Sequence, residues 1–360
     1  MVIMIPYYCE AEVAFGLEEI VHSELRLTLH RRFHLLQPIR EGSGFIAFEC
    51  HGGLTDLLKV RTALAVHLVQ RFPIPRPKAL LGHQHFQALL RQINAVLDLW
   101  QHGVFQTLYL SAAGSESSVM NRLKDELSQH TGLKVASHEG DLLLRVRRSR
   151  FERDTTRSQG EEIGWEVLVR LSPRPLSTRS WRVSNFEGAL NATVASAICL
   201  LSEPRPQDIF LNLACGSGSI MIERMAYGPA LRIIGLDLDP QALTCTRANL
   251  DASEHRLPRV GLVLADACAI PLPDHSVPVL CADLPFGHLV GSYVENVELY
   301  PCIFREAARV AQLGARFILI THEVRLTEAL LKASAEWKVE KQIRVSLGGL
   351  NPHIFALHRI

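Results

Sequence analysis

Apolar positions in the second half of the chain come as short continuous runs, each closed by glycine or acid. Ile209-Phe210-Leu211-Asn212-Leu213 is one such run, feeding Gly216-Ser217-Gly218 and the helix-like Ile220-Met221-Ile222-Glu223. Others cover 232–237, 260–264 and 277–281. Runs without alternation suit strands buried on both faces, as in a parallel sheet. Helical spacing then appears over 299–311 and 324–335, with a strand over 315–321 between them. The final stretches, 337–347 and 354–359, flank Gly348-Gly349 and predict an antiparallel pair.

The first half is patterned differently. Residues 12–21 end a strand and open an amphipathic helix to about 29, and 44–48 alternate as a strand. A helix is predicted over 54–69, broken by Pro73, Pro75 and Pro77, and another over 86–97. A strand at 107–112, a helix around 119–127 and strands at 141–146 and 166–171 complete an α+β region. The chain is therefore expected to be α/β, with a Rossmann-like parallel sheet behind an α+β module. No internal repeat or low-complexity tract is present.

The strand ends carry the candidate chemistry. An apolar strand followed by a G-x-G turn and a helix opens a nucleotide-binding unit. The third glycine of the dinucleotide fingerprint is missing, because Met221 stands there. A pyrophosphate cradle is thus disfavoured, and NAD or FAD with it. Asp237 closes the second run and is placed to accept both ribose hydroxyls of an adenosine. Asp266 closes the third and could take an adenine amine. After the fourth run comes Asp283-Leu284-Pro285-Phe286-Gly287. Its carboxylate and neighbouring carbonyl can accept N–H bonds from a planar amine, and its ring can stack on an unstacked base. Each acid taken alone is more often a helix N-cap or a solvated turn, but three acids and a G-x-G at successive strand ends point to a site. Pro285-Phe286 alone is equally a turn with a core-filling ring.

Over 186–360, this order and spacing resemble class I S-adenosylmethionine-dependent methyltransferases. Asp283 to Gly287 resembles the N/D-P-P-Y/F motif of enzymes that methylate exocyclic amines. Cys215-Gly216-Ser217-Gly218-Ser219 resembles the C-G-S-G-T stretch of RNA guanine-N2 methyltransferases carrying a THUMP domain. Asn212 stands where that family usually has Asp, and Leu284 where the wider motif has Pro. Leu284 keeps the carbonyl. The resemblance implies S-adenosyl-L-methionine as cofactor, held by Asn212, Cys215, Gly216, Gly218, Asp237, Leu238, Asp266 and Ala267. It implies Asp283, Leu284, Pro285 and Phe286 as the catalytic group. Guanine offers N1–H beside its N2 amine, so one carboxylate can take both donors, whereas adenine N1 is an acceptor.

The first half resembles an N-terminal ferredoxin-like domain (1–50) and a THUMP-like RNA-binding domain (51–175). Arg179-Ser180-Trp181-Arg182 resembles the R-G-Y-R segment of the family's linker, here 176–190, before the catalytic domain at 186–360. The expected partner is RNA, with tRNA favoured over ribosomal RNA. DNA is not expected, because adenine-N6 DNA enzymes lack such a front half. The alternative is an RNA-binding paralogue without catalysis, for which Asn212 is the motive.

Charge sharpens this division. The net charge is +1, but residues 1–183 hold 23 Lys+Arg against 19 Asp+Glu, while 184–360 hold 15 against 18. Arginines crowd positions 145–182, and Arg145, Arg147, Arg148, Arg179 and Arg182 are expected to contact phosphates. The competing reading is a solvated loop balanced by Glu152, Asp154, Glu161 and Glu162. The eight cysteines include no C-x-x-C pair, and the 16 histidines form no ligand cluster, so no metal is expected. With no membrane-length apolar run and no basic leader, a cytoplasmic location is expected.

Overall fold

The computed structural model describes residues 6–150, 164–255, 259–285, 293–346 and 348–360. The chain divides into two compact units. The first comprises Met1–Val13, Leu25–Ile39 and Phe45–Leu176, and the second Ala14–Glu24, Arg40–Gly44 and Ser177–Ile360.

The first unit is built on β1 (Tyr7–Glu12), β2 (Phe33–Leu35), β3 (Phe45–Cys50), β4 (Ala65–Phe72), β5 (Thr107–Ala112), β6 (Lys134–Val135), β7 (Leu142–Arg148) and β8 (Trp165–Arg170). They form one sheet in the order β2-β3-β1-β4-β8-β7-β5-β6. The boundary expected at 50/51 is therefore not a break between sheets. The helices in this part of the chain are α1 (Glu18–Leu29), α2 (Leu54–Leu57), α3 (His83–Leu97) and α4 (Ser118–Thr131). Buried Gln92 on α3 donates to Leu68 O at 2.7 Å and Val167 O at 2.9 Å, tying the helix to β4 and β8.

The helix expected over 54–69 is a single turn, α2, followed by β4. The physical reason is burial. Ala65 to Val69 are all buried, His67 among them, and β4 lies between β1 and β8, so both strand faces are covered there and the two-residue alternation is lost. A short apolar run of that kind cannot be told from a buried helix by periodicity.

The second unit matches its pattern more closely. Its strands are β9 (Ile209–Leu213), β10 (Arg232–Asp237), β11 (Val260–Leu264), β12 (Val277–Asp283), β13 (Ala311–Thr321), β14 (Trp337–Arg344) and β15 (His353–Arg359). Their order is β11-β10-β9-β12-β13-β15-β14. The first five run parallel, and β15 is antiparallel to both β13 and β14. The helices are α5 (Ala192–Leu201), α6 (Ser219–Ala226), α7 (Pro240–Ala252), α8 (Tyr293–Val310) and α9 (Val324–Ala333). Leu211, Leu213, Ile234, Leu280, Phe304, Phe317 and Phe355 form its main core. This is the α/β, Rossmann-like arrangement expected from the runs. Sequential strands on either side of β9 place their carboxyl ends at one rim, where ligands of open α/β sheets bind. Among the described residues, no helix is long and apolar enough to cross a membrane.

Candidate active site

The turn after β9 is shaped by backbone demands. Ala214, Gly216 and Gly218 all have positive φ, at 46°, 53° and 77°. A Cβ on Gly218 would lie 2.8 Å from Thr246 Cγ2, so the chain can pass α7 only with glycine there. Ala214 is the exception that glycine would relieve, and such strained residues gather at functional turns. Thr246 Oγ1 donates to Gly216 O at 2.7 Å, and Asn249 Nδ2 donates to Ser217 O at 2.9 Å, fixing the turn from α7. Burial and the neighbouring Asp237 push the Cys215 thiol up to about 12. Cys215 is buried in this turn, and its thiol is held in the protonated form.

Asp237 meets the turn from the next strand. Its Oδ2 accepts the Gly216 N–H at 2.8 Å and its Oδ1 accepts the Asp239 N–H at 3.0 Å. Leu238, directly after it, is 70% exposed. Asp266 is exposed and accepts the Cys268 N–H at 2.8 Å, with half-buried Ala267 between them. On β9, buried Asn212 donates to Leu213 O at 3.1 Å and across to Cys281 O at 3.3 Å. Its Oδ1 is buried without a hydrogen-bond partner among the described residues.

The fourth strand end differs from the others. Asp283 Oδ1 is likewise buried with no partner. Desolvation pushes this carboxyl from its ordinary 3.8 up to about 8. Leu284 N–H donates to Ile320 O at 3.1 Å, which fixes the peptide plane beside Asp283. Pro285 O accepts from Asn296 Nδ2 at 3.1 Å and from the Tyr300 hydroxyl at 2.9 Å. The same hydroxyl lies 2.6 Å from Thr321 Oγ1. Asn296 and Tyr300, four residues apart on one face of α8, were not singled out from the sequence. That spacing behind an Asp-x-Pro loop was the signal available. Phe286 lies outside the described residues.

The raised carboxyl makes a stability prediction. A folded value above the unfolded one favours the protonated form. Its contribution is complete below the unfolded value near 3.8 and is lost as pH rises through about 8. Cofactor-free Asp283→Asn should therefore melt with the wild type at about pH 4 and above it at pH 8 and beyond. Melting temperature against pH for both proteins checks this. A gap that does not widen with pH would show that Asp283 is solvated.

The five arginines expected to form a phosphate strip are not presented alike. Arg147 is held between two buried carboxylates, bonding Glu10 Oε1 at 2.9 Å and Glu166 Oε2 at 3.2 Å. Arg179 pairs with fully buried Glu223 at 2.8 Å. Arg182 donates to Leu190 O at 2.7 Å and to Ser219 Oγ at 2.9 Å, beside the glycine turn. These three brace the interior instead of lining a surface strip. Their partners come from distant positions on β1, β8 and α6, which a reading of local charge could not include. Half-exposed Arg145 reaches Glu12 at 3.4 Å, and Arg148 lies 5.3 Å from the Trp165 ring centroid. Arg147→Ala should destabilise the protein by about 3–5 kcal/mol, the usual cost of stranding a buried ionic partner. Denaturant titration measures it, and a loss under about 1 kcal/mol would show a solvated pair.

Residues 179–353 match the family described as UPF0020: RMKL-like, methyltransferase domain. The chain is 29% identical over 208 residues to the tRNA (guanine(6)-N(2))-methyltransferase THUMP3 of Mus musculus, covering 54% of this chain and 41% of that one. It thus spans about two fifths of that relative's length. It is 24% identical over 293 residues to the tRNA (guanine(6)-N2)-methyltransferase of Methanocaldococcus jannaschii, covering 70% of this chain and 72% of the other. In fold it is similar to the crystal structure of TrmN from Thermus thermophilus, with TM-score 0.72, 24% identity and coverage of 98% and 100%.

Proposed function

We propose, from the methyltransferase domain at 179–353, that this chain transfers a methyl group from S-adenosyl-L-methionine to the exocyclic N2 amine of a guanosine in RNA, with tRNA as the substrate class. The observation that carries this reading is half-buried Asp283, whose Oδ1 is inaccessible and meets no donor among the described residues, beside a loop whose next carbonyl is pinned by Asn296 and Tyr300. The naming of two relatives as tRNA guanine-N2 methyltransferases supports the choice of base and RNA.

The residues fit the cofactor. Asp237 presents acceptor oxygens at the glycine turn, exposed Leu238 offers an apolar face for adenine, and Asp266 offers a second carboxylate to its amine. Asn212 Oδ1 is an acceptor lacking a partner at the end of β9, suited to an ammonium group. When bound, S-adenosyl-L-methionine supplies a methyl group activated by its positive sulfonium.

The chain's own residues do the rest. Guanine N2 is a poor nucleophile because its lone pair is delocalised into the ring. Ionised Asp283 and the Leu284 carbonyl accept its hydrogens and turn the lone pair out of conjugation. As positive charge grows on nitrogen, these acceptors bind it more strongly than they bind the neutral amine, which is what lowers the barrier. Burial raises this carboxyl to about 8, so the ionised form that accepts the amine is the minor one in the free protein at neutral pH. Asn296 and Tyr300 keep the loop in register through Pro285 O, so alignment need not be found anew on each encounter.

We assign RNA reading to 51–175 within the first unit, with Arg145 and Arg148 as phosphate contacts. Cysteines that are all free fit a reducing compartment such as the cytoplasm. Nucleoside mass spectrometry of RNA from cells with and without the gene tests the proposal. N2-methylguanosine should fall in the tRNA fraction when the gene is absent, and an unchanged level would overturn the assignment.

A further inference from the structure

A segment from the start of the chain belongs to the catalytic unit: Ala14–Glu24, together with Arg40–Gly44. Phe15 O accepts the Ser346 N–H at 3.0 Å, just beyond the end of β14. Gly16, at φ +94°, runs so close to Arg344 that a Cβ there would lie 1.8 Å from Arg344 O. Buried Glu18 then clamps two glycine amides, accepting from Gly16 N at 2.9 Å and Gly44 N at 3.0 Å. The Phe15 ring rests on Gly44, where a Cβ would meet its Cε1 at 2.8 Å. Backbone, buried carboxylate and two glycines thus hold one phenylalanine in place. Yet the residue so mounted is 51% exposed.

The mount sits at the ligand-binding rim. Arg344 pairs with His353, His353 with Thr321, and the adjacent Ile320 with Asp283, so the end of β14 and the end of β12 lie at the same edge. Between them lie β13 and β15. Three strand spacings of about 4.8 Å put the two ends roughly 14 Å apart. That is too far for Phe15 to touch the base held by Asp283, but within reach of a neighbouring nucleotide. Arg344 and Arg40 are both exposed, on the two segments that carry the ring. An open aromatic ring with exposed arginines on the segments that hold it is a combination suited to single-stranded nucleic acid, by base stacking and phosphate pairing.

We propose that Phe15 is a stacking platform for a base flanking the target guanosine, with Arg344 and Arg40 holding the adjoining phosphates. This rests on the RNA reading above and extends its substrate contacts to the far side of the sheet. It also explains why a glycine that nothing else can replace stands at position 16.

Full-length Phe15→Ala, Phe15→Leu and Phe15→Trp test it, with substitution preferred to truncation because deletion would remove part of the catalytic unit. Stacking on an aromatic is worth a factor of roughly 5 to 150. Phe15→Ala and Phe15→Leu should each lower kcat/KM for a tRNA transcript by at least roughly 5-fold, while calorimetric affinity for S-adenosyl-L-methionine and melting temperature stay at wild-type values. Phe15→Trp should retain activity, and RNA should quench its fluorescence beyond any quenching seen in the wild type. Normal kcat/KM in Phe15→Ala would overturn the platform. Recovery by leucine would overturn it too, by showing that bulk alone matters, as would parallel loss of cofactor affinity. If the wild type itself transfers no methyl group to RNA, the proposed function falls and the platform with it. If the wild type is active and all three variants match it, only the platform falls.

Discussion

Asp283→Ala is expected to lower methyl transfer by roughly 10²–10³-fold, the effect of removing one transition-state hydrogen-bonding group. Cofactor affinity should stay near normal. Asp283 Oδ1 is inaccessible and meets no donor among the described residues, so that oxygen caps no described helix. A buried carboxylate with no structural partner lowers stability, and a fold that retains one has a use for it. The variant should accordingly be no less stable than the wild type while being nearly inactive. A variant that is stable, binds cofactor and turns over normally would remove Asp283 from the mechanism. Asp283→Asn separates charge from shape, because it keeps the volume and loses the anionic acceptor.

Asp237→Ala should weaken S-adenosyl-L-methionine binding by about 1.5–3 kcal/mol, the worth of hydrogen bonds to a charged group. Two losses combine. The ribose hydroxyls lose their carboxylate, and the Gly216 and Asp239 amides lose the acceptor that sets the turn. The neighbouring Asp239 supplies the control. Its side chain accepts from Gln241 N at 2.7 Å and caps α7, so Asp239→Ala should cost about 1 kcal/mol of stability and leave affinity alone. If calorimetry shows unchanged affinity for Asp237→Ala with reduced stability, Asp237 is only another cap.

What the sequence revealed depended on how local each feature is. Strand runs ending in Asn212, Asp237 and Asp283 were legible because a parallel strand, its turn and its terminal acid are neighbours in the chain. The same rule failed at 54–69, where residues 65–69 of β4 are buried on both faces and the alternation is erased. Three arginines of the expected strip are engaged elsewhere for a related reason. Arg147, Arg179 and Arg182 form a cluster in sequence, but Glu10, Glu166, Glu223 and Ser219 reach them only in the folded protein. The hold on Pro285 by Asn296 and Tyr300 depends on α8 packing beside β13, and the mount of Phe15 joins positions more than 300 residues apart. Local chemistry could be read along the chain, and its supports could not.

The central claim is transfer of a methyl group to guanine N2 in RNA. Its most direct test incubates the purified full-length protein with S-adenosyl-L-methionine carrying a labelled methyl and an unmodified tRNA transcript, followed by nucleoside mass spectrometry. Label should appear in N2-methylguanosine and be absent with Asp283→Ala. Label in N6-methyladenosine, or no label in RNA with a protein that binds the cofactor, would contradict the claim.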